Sequence, residues 1–237
     1  MTREQPKQAP PPVQRLRVRY AKRGRLRFTS HRDFSRAFER AVFRARLPMA
    51  YSSGFNPHPR ISYAGAAPTG SASEAEYLEL ALAEVVDPAA VHVALDEALP
   101  DGLDVVEVVE APAVGLADLL EVSHWQISLP VPLEEARAAV ETFLATDEVL
   151  VQRMTKKGMR DFDSRSAVIS LVAVPADEGS RLDLVLRHLE PAVRPDDVLR
   201  GLSAAAGLAV VGVPLLTRLA QGPLDPTTGE IGDPLRP

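Results

Sequence analysis

RLRVRYAKRGRLRFTSHRDFSRAFERAVFRAR, residues 15–46, changes its hydrophobic period partway along, and that change decides the fold. In RLRVRY (residues 15–20) apolar and charged residues alternate. Leu16, Val18 and Tyr20 share one face of an extended chain, and Arg15, Arg17 and Arg19 the other, the period of a half-buried strand. After a turn at Arg23-Gly24 the alternation resumes as RLRF (residues 25–28), which predicts one long strand with a bulge or a short hairpin. From Ser30 the period becomes that of a helix. Ser30 with Asp33 three residues later is a capping pattern, Phe34, Ala37, Phe38, Ala41, Val42 and Ala45 recur at spacings of three and four, and Pro48 ends the run. A helix over residues 31–46 follows, with Arg32, Arg36, Arg40 and Arg44 along its outer ridge.

Downstream, residues 51–60 (YSSGFNPHPR) are too rich in Gly and Pro for a helix and read as a loop entering a strand near residues 60–65. AEYLELALA (75–83) alternates as a strand, Asp87-Pro88 opens a helix to residue 99, and LDVVEVVE (103–110) returns as a strand. The order β-α-β-β-α-β is the split arrangement of a ferredoxin-like sandwich. Residues 123–219 repeat it: a strand at SHWQISL, a helix over 133–145, strands at 149–155, AVISLVAV and RLDLVLRH, a helix over 195–206, and a closing strand, with one extra hairpin strand. The expected fold class is α+β, two tandem ferredoxin-like (βαββαβ) domains with antiparallel sheets. Residues 1–14 form a disordered lead-in, 15–112 a basic-to-acidic first domain, 113–121 a linker, 122–222 a second domain, and 223–237 a flexible tail.

Charge follows chain order. Residues 1–60 hold 15 Lys or Arg against Glu4, Asp33 and Glu39, while residues 61–150 hold 18 acids against Arg137 alone; residues 151–237 balance at 11 and 11. A segment with so many bases points to a polyanion, because clustered cations gain most by neutralising phosphates and releasing counterions. A competing reading neutralises the basic face with the acids of residues 74–121 inside the same domain. The chain has no cysteine, which removes disulfides, thiolate metal sites, iron–sulfur ligation and cysteine nucleophiles from its own chemistry. No apolar stretch approaches a membrane span and no signal core opens the chain, so the expected location is cytoplasmic with no membrane partner.

The candidate RNA contacts are the strand arginines Arg17, Arg19, Arg25 and Arg27 and the helix residues His31, Arg32, Arg36, Arg40 and Arg44. The loop adds Tyr51, Phe55, Asn56, His58 and Arg60, and the second domain adds Lys156 and Lys157. In the loop, Tyr51 and Phe55 can stack on unpaired bases, Asn56 can read a base edge and Arg60 can hold a phosphate; alternatively the two aromatics plug the core. If the helix packs beside the strand arginines, some ten cations share one surface. His31 and His58 together suit general acid–base cleavage of RNA, an alternative that would make the chain a metal-independent endoribonuclease. His92, His124 and His188 stand singly in regular elements. Phosphate-binding, dinucleotide and nucleophile-elbow motifs are absent, and no metal site or cofactor is expected.

The segment LRFTSHRDFSRAFERAVFRARLPMAYSSGFNPHPRISYAGAAPTGSASEAEYLEL resembles the signature of the radical SAM-linked protein family, and RMTKKGMRDFDSRSAVISL resembles a second block of it. The Ser-His-x-Asp helix start and the Gly-Phe-Asn-Pro-His-Pro-Arg loop stand in the expected order. The resemblance implies a partner encoded beside this chain, a radical S-adenosylmethionine enzyme, and a setting in RNA metabolism. The element order is also similar to that of CRISPR repeat-processing proteins, by fold analogy alone. Together these give the expected function, a noncatalytic RNA-binding subunit presenting tRNA or rRNA to a separate radical SAM modification enzyme. An adaptor docking that enzyme without RNA is the remaining alternative.

Overall fold

Leu16, Val18 and Tyr20 do face one side of a strand, and the helix that follows covers them. The computed structural model describes residues 8–155, 158–210 and 212–237, which divide into two units, residues 1–119 with 234–237 and residues 120–233. Both units are mixed α+β with antiparallel sheets.

The first unit runs β1 (Gln14–Lys22), α1 (His31–Arg44), β2 (Ile61–Ala64), β3 (Ala72–Leu82), α2 (Pro88–Ala98) and β4 (Leu103–Glu110), then a single turn, α3 (Leu116–Leu119). All strand pairs are antiparallel in the order β4-β1-β3-β2. Ser30 Oγ accepts from the Asp33 amide at 3.2 Å, the cap that the sequence announced. Phe34, Phe38, Ala41 and Val42 of α1 join Val91 and Leu95 of α2 over Leu16, Val18, Leu78, Leu80, Leu103 and Val105 in one core, so both helices cover the same face of the sheet. Tyr20 and Phe34 stack with ring centroids 4.6 Å apart.

RLRF is not a strand. Residues Gly24–Phe28 form a 3-10 turn, closed by Leu26 N–H to the Arg23 carbonyl at 3.0 Å and Thr29 N–H to the Leu26 carbonyl at 2.9 Å. The ladders of β1 with both neighbours end at Lys22, so Leu26 and Thr29 satisfy their amides within the turn, while Arg23 N–H donates to the Gly102 carbonyl and the Arg27 carbonyl accepts from Gly70 N–H, each at 2.8 Å.

The second unit runs β5 (Val122–Leu129), α4 (Leu133–Leu144), β6 (Leu150–Thr155), β7 (Gly158–Asp163), β8 (Val168–Pro175), β9 (Ser180–Arg187), α5 (Pro195–Ala206) and β10 (Leu215–Gly222). Its sheet has the order β10-β5-β9-β8, again antiparallel. The sequence reading has a strand at 149–155 and only a passage over 159–165; the structure makes β7 of the latter and pairs it with β6 in a separate ribbon, inserted between α4 and β8. Arg153 fastens that ribbon to α5 by pairing with fully buried Asp197 while lying 3.9 Å above the Phe162 ring.

The two ends depart from the expected disorder where they are described. Residues 1–7 of the lead-in lie outside the described residues, but Ala9 N–H donates to Ser53 Oγ at 2.8 Å and Val13 N–H to the Leu82 carbonyl at 2.9 Å. In the tail, Leu224 bridges Ile231 across a turn whose Thr227 and Thr228 amides donate to Asp225 Oδ1, and Leu235 is buried. Among the described residues no helix is long and apolar enough to cross a membrane.

Candidate nucleic-acid interface

With Phe34, Phe38, Ala41 and Val42 committed to the core, the opposite stripe of α1 faces solvent. Arg36, Glu39, Arg40 and Phe43 stand at i, i+3, i+4 and i+7, so a 3.6-residue turn sets them on one face. They form one wall of a groove of about 410 Å³, whose other wall is Tyr51, Pro57, His58 and Pro59.

The loop wall is held by its own backbone. Ser52 N–H donates to the His58 carbonyl at 2.9 Å, His58 N–H donates to Ser52 Oγ at 3.0 Å, and Tyr51 bridges Pro59. Gly54 at the tip has φ of 130°, a conformation that L side chains rarely adopt. Tyr51 is 36% exposed and Phe55 68%, so the loop aromatics are not plugs for the core. Phe43, at 69% exposure, is a third large apolar surface in the same region of the sequence.

Arg36 and Arg40 are exposed, and among the described residues neither has a carboxylate within salt-bridge range. Arg32, one turn earlier, is exposed as well, while Arg44 uses Nη1 to donate to the Ala98 carbonyl at the end of α2, 3.1 Å away. In β2, burial pushes the Tyr63 phenol up to about 12, and the Glu39 charge adds to the shift.

The strand arginines lie elsewhere. Arg17 and Arg19 alternate with the core residues of β1 and so occupy the sheet face opposite α1; the expected single surface of ten cations is divided by the sheet. Arg17 is fully buried, donating to Glu79 Oε1 at 2.7 Å, to the Val114 carbonyl at 2.8 Å and to the Pro234 carbonyl at 2.5 Å. It is a structural cation and not a surface contact, which corrects its place among the RNA-binding candidates. Arg19 Nε donates to the Glu74 carbonyl at 2.9 Å. Arg23 pairs with Glu74 and, at 2.7 Å, with Asp104, and its pKa rises, first through the hydrogen bond to Glu74.

Arg25 is exposed on the 3-10 turn, and Arg27 lies half-buried with its guanidinium 4.6 Å above the Phe28 ring. Arg60 is half-buried beside the loop, and Asn56 is exposed at its tip with Phe55. His31 is exposed, edge-on to Tyr63 at 5.2 Å, and lines a separate cavity of about 20 Å³ with Tyr20, Lys22 and Glu76. The structure therefore brings Arg36, Arg40, Tyr51 and His58 together but does not bring His31 into their groove. Lys156 and Lys157 lie outside the described residues.

Sequence reasoning missed Phe43 and Glu39. The available signal was phase: Phe43 is an aromatic residue seven positions after Arg36, outside the apolar stripe. A larger hollow in the second unit, about 1160 Å³, carries Asp177, Glu178 and Arg181 as its charged lining, a net negative surface unsuited to a polyanion. Among the described residues no cluster of three or more His, Asp or Glu is disposed to hold a metal.

Residues 15–195 match the family described as an uncharacterized protein conserved in bacteria (DUF2344), and the chain belongs to that family. No curated protein matches the chain.

Proposed function

We propose that this member of the family is a noncatalytic RNA-binding subunit that holds an unpaired segment of a structured RNA and presents it to a separate radical SAM modification enzyme. The observation that carries the reading is the groove in which Arg36 and Arg40, exposed and without a carboxylate partner, face Tyr51 and His58 beside Phe43. Guanidiniums at one-turn spacing suit backbone phosphates, and exposed aromatic faces suit splayed bases, each stacked base contributing about 1–3 kcal/mol. The choice of RNA and of the partner enzyme rests on the family resemblance. Since the chain has no cysteine, the iron–sulfur cluster of such an enzyme would be held by the partner. We also read both units as ferredoxin-like, supported by the equivalent strand orders β4-β1-β3-β2 and β10-β5-β9-β8.

A protein-only adaptor is the second reading, and the internal pairing of Arg17 with Glu79 and of Arg23 with Glu74 and Asp104 favours it, because those acids already neutralise one basic face. The endoribonuclease reading has less support, as His31 and His58 line different hollows. Ultraviolet crosslinking in the source cells separates the first two. RNA recovered covalently on the peptide containing Phe43 and Tyr51 is the expected result; recovery of no RNA above an uncrosslinked control would reject RNA binding and leave the adaptor.

A further inference from the structure

Resting on the RNA-binding reading, we infer that the groove selects an unpaired guanine and that Glu39 reads it. Glu39 is out of place in a site for phosphate alone, because it lowers the groove's charge where Arg36 and Arg40 would otherwise act together. It stands three residues after Arg36, within reach of an intrahelical pair, yet among the described residues no cation lies within 4.0 Å of its carboxylate, and no hydrogen bond engages it. Its two oxygens remain available as acceptors toward the groove that it lines.

An ionised carboxylate accepts and does not donate. Among the four RNA bases, guanine alone presents two neighbouring donors on its Watson–Crick edge, N1–H and the N2 amino group, matching the two oxygens. Adenine and cytosine place a ring-nitrogen acceptor beside their amino group, and uracil flanks its single N3–H with two carbonyls, so each sets a lone pair against the carboxylate. The aromatic rings of Phe43 and Tyr51 at the same groove supply a surface for stacking, and Arg36 and Arg40 supply phosphate contacts on either side of Glu39 along the helix. A volume of about 410 Å³ lies within the range of pockets that hold small organic ligands and so accommodates a single base.

The test is fluorescence anisotropy with uridine heptamers carrying one central guanine, inosine, adenine or cytosine, and an all-uridine control. Wild-type protein is expected to bind the guanine oligomer about tenfold or more tighter than the adenine, cytosine and uridine oligomers, the discrimination of one good bidentate contact. Inosine, which lacks the N2 amino group, should fall between. Glu39→Gln keeps the shape and the half-buried helical position but replaces one acceptor with a donor. It should bind all oligomers within about threefold of one another, with the uridine affinity equal to or above wild type because a negative charge has gone. Equal wild-type affinity for every oligomer would overturn guanine selection and leave RNA binding intact. Inosine bound as tightly as guanine would overturn the two-donor contact, and guanine preference retained in Glu39→Gln would overturn the role of Glu39. Failure to bind any oligomer, with circular dichroism showing a folded chain, would reject the RNA reading itself.

Discussion

Arg17 shows how much one residue depends on where the chain returns. The alternation of RLRVRY sets its side chain opposite the core, where a sequence reader expects solvent. Its hydrogen-bond partners lie 62, 97 and 217 residues away, and no local pattern announces them. Removing the guanidinium leaves Glu79 and two carbonyls without their donor, so Arg17→Ala should cost about 3–5 kcal/mol of unfolding free energy in urea titration. A loss below about 1 kcal/mol would show that the site is wet and that Arg17 is a surface cation. Glu39 and Phe43 escaped sequence reading for a different reason. Each lies outside the apolar stripe that identifies the helix, and their meaning appears only when the Pro57–Pro59 wall stands across from them.

At the scale of elements, α1 was the most legible part of the chain, since a side-chain cap, a 3.6-residue stripe and a terminating proline all agree. RLRF was misread because alternation defines a strand only when a neighbouring strand is there to accept it, and the ladders of β1 stop at Lys22. The Gly and Pro content of residues 51–60 announces a loop but leaves the place of its aromatics open, because the Ser52–His58 hydrogen bonds that fold the loop back on itself, with Tyr51 and Phe55 exposed, have no sequence signature. Gly54→Ala asks this loop for a side chain at φ of 130° with no steric contact to blame, so the effect isolates backbone strain. The variant should keep global stability within about 1 kcal/mol, since a strained exposed tip opens locally. It should also weaken RNA binding several-fold; undiminished affinity would place the loop outside the interface.

For the whole molecule, the basic-then-acidic order of the sequence is partly an internal matter. Arg17 with Glu79 and Arg23 with Glu74 and Asp104 join the basic to the acidic segment within the first unit, and Arg236, from the balanced third segment, donates a hydrogen bond that holds the Glu107 carboxyl below its ordinary range. What remains exposed and unpaired on α1 is the surface from which a polyanion reading follows.

The second unit carries a pH dependence of its own. Burial lowers the pKa of His188, whose Nδ1–H donates to the Leu120 carbonyl at 2.6 Å while Nε2 accepts from Ser123 Oγ at 2.9 Å. As pH falls below about 6.5 the unfolded chain takes up a proton that the folded chain resists, so stability declines toward acid and rises with pH up to that value. Thermal unfolding should come earlier at pH 5.5 than at pH 7.5, and His188→Gln should narrow the difference. An unchanged difference in the variant would assign the dependence to other groups.

The most direct measurement for the interface is the salt dependence of affinity for a single-stranded oligomer, compared between wild type and Arg36→Gln/Arg40→Gln. If the two guanidiniums each hold a phosphate, the slope of log K against log salt should become shallower by about 1.4, at about 0.7 per phosphate contact on a single strand. Identical slopes for the two proteins would contradict the groove as the RNA-binding surface.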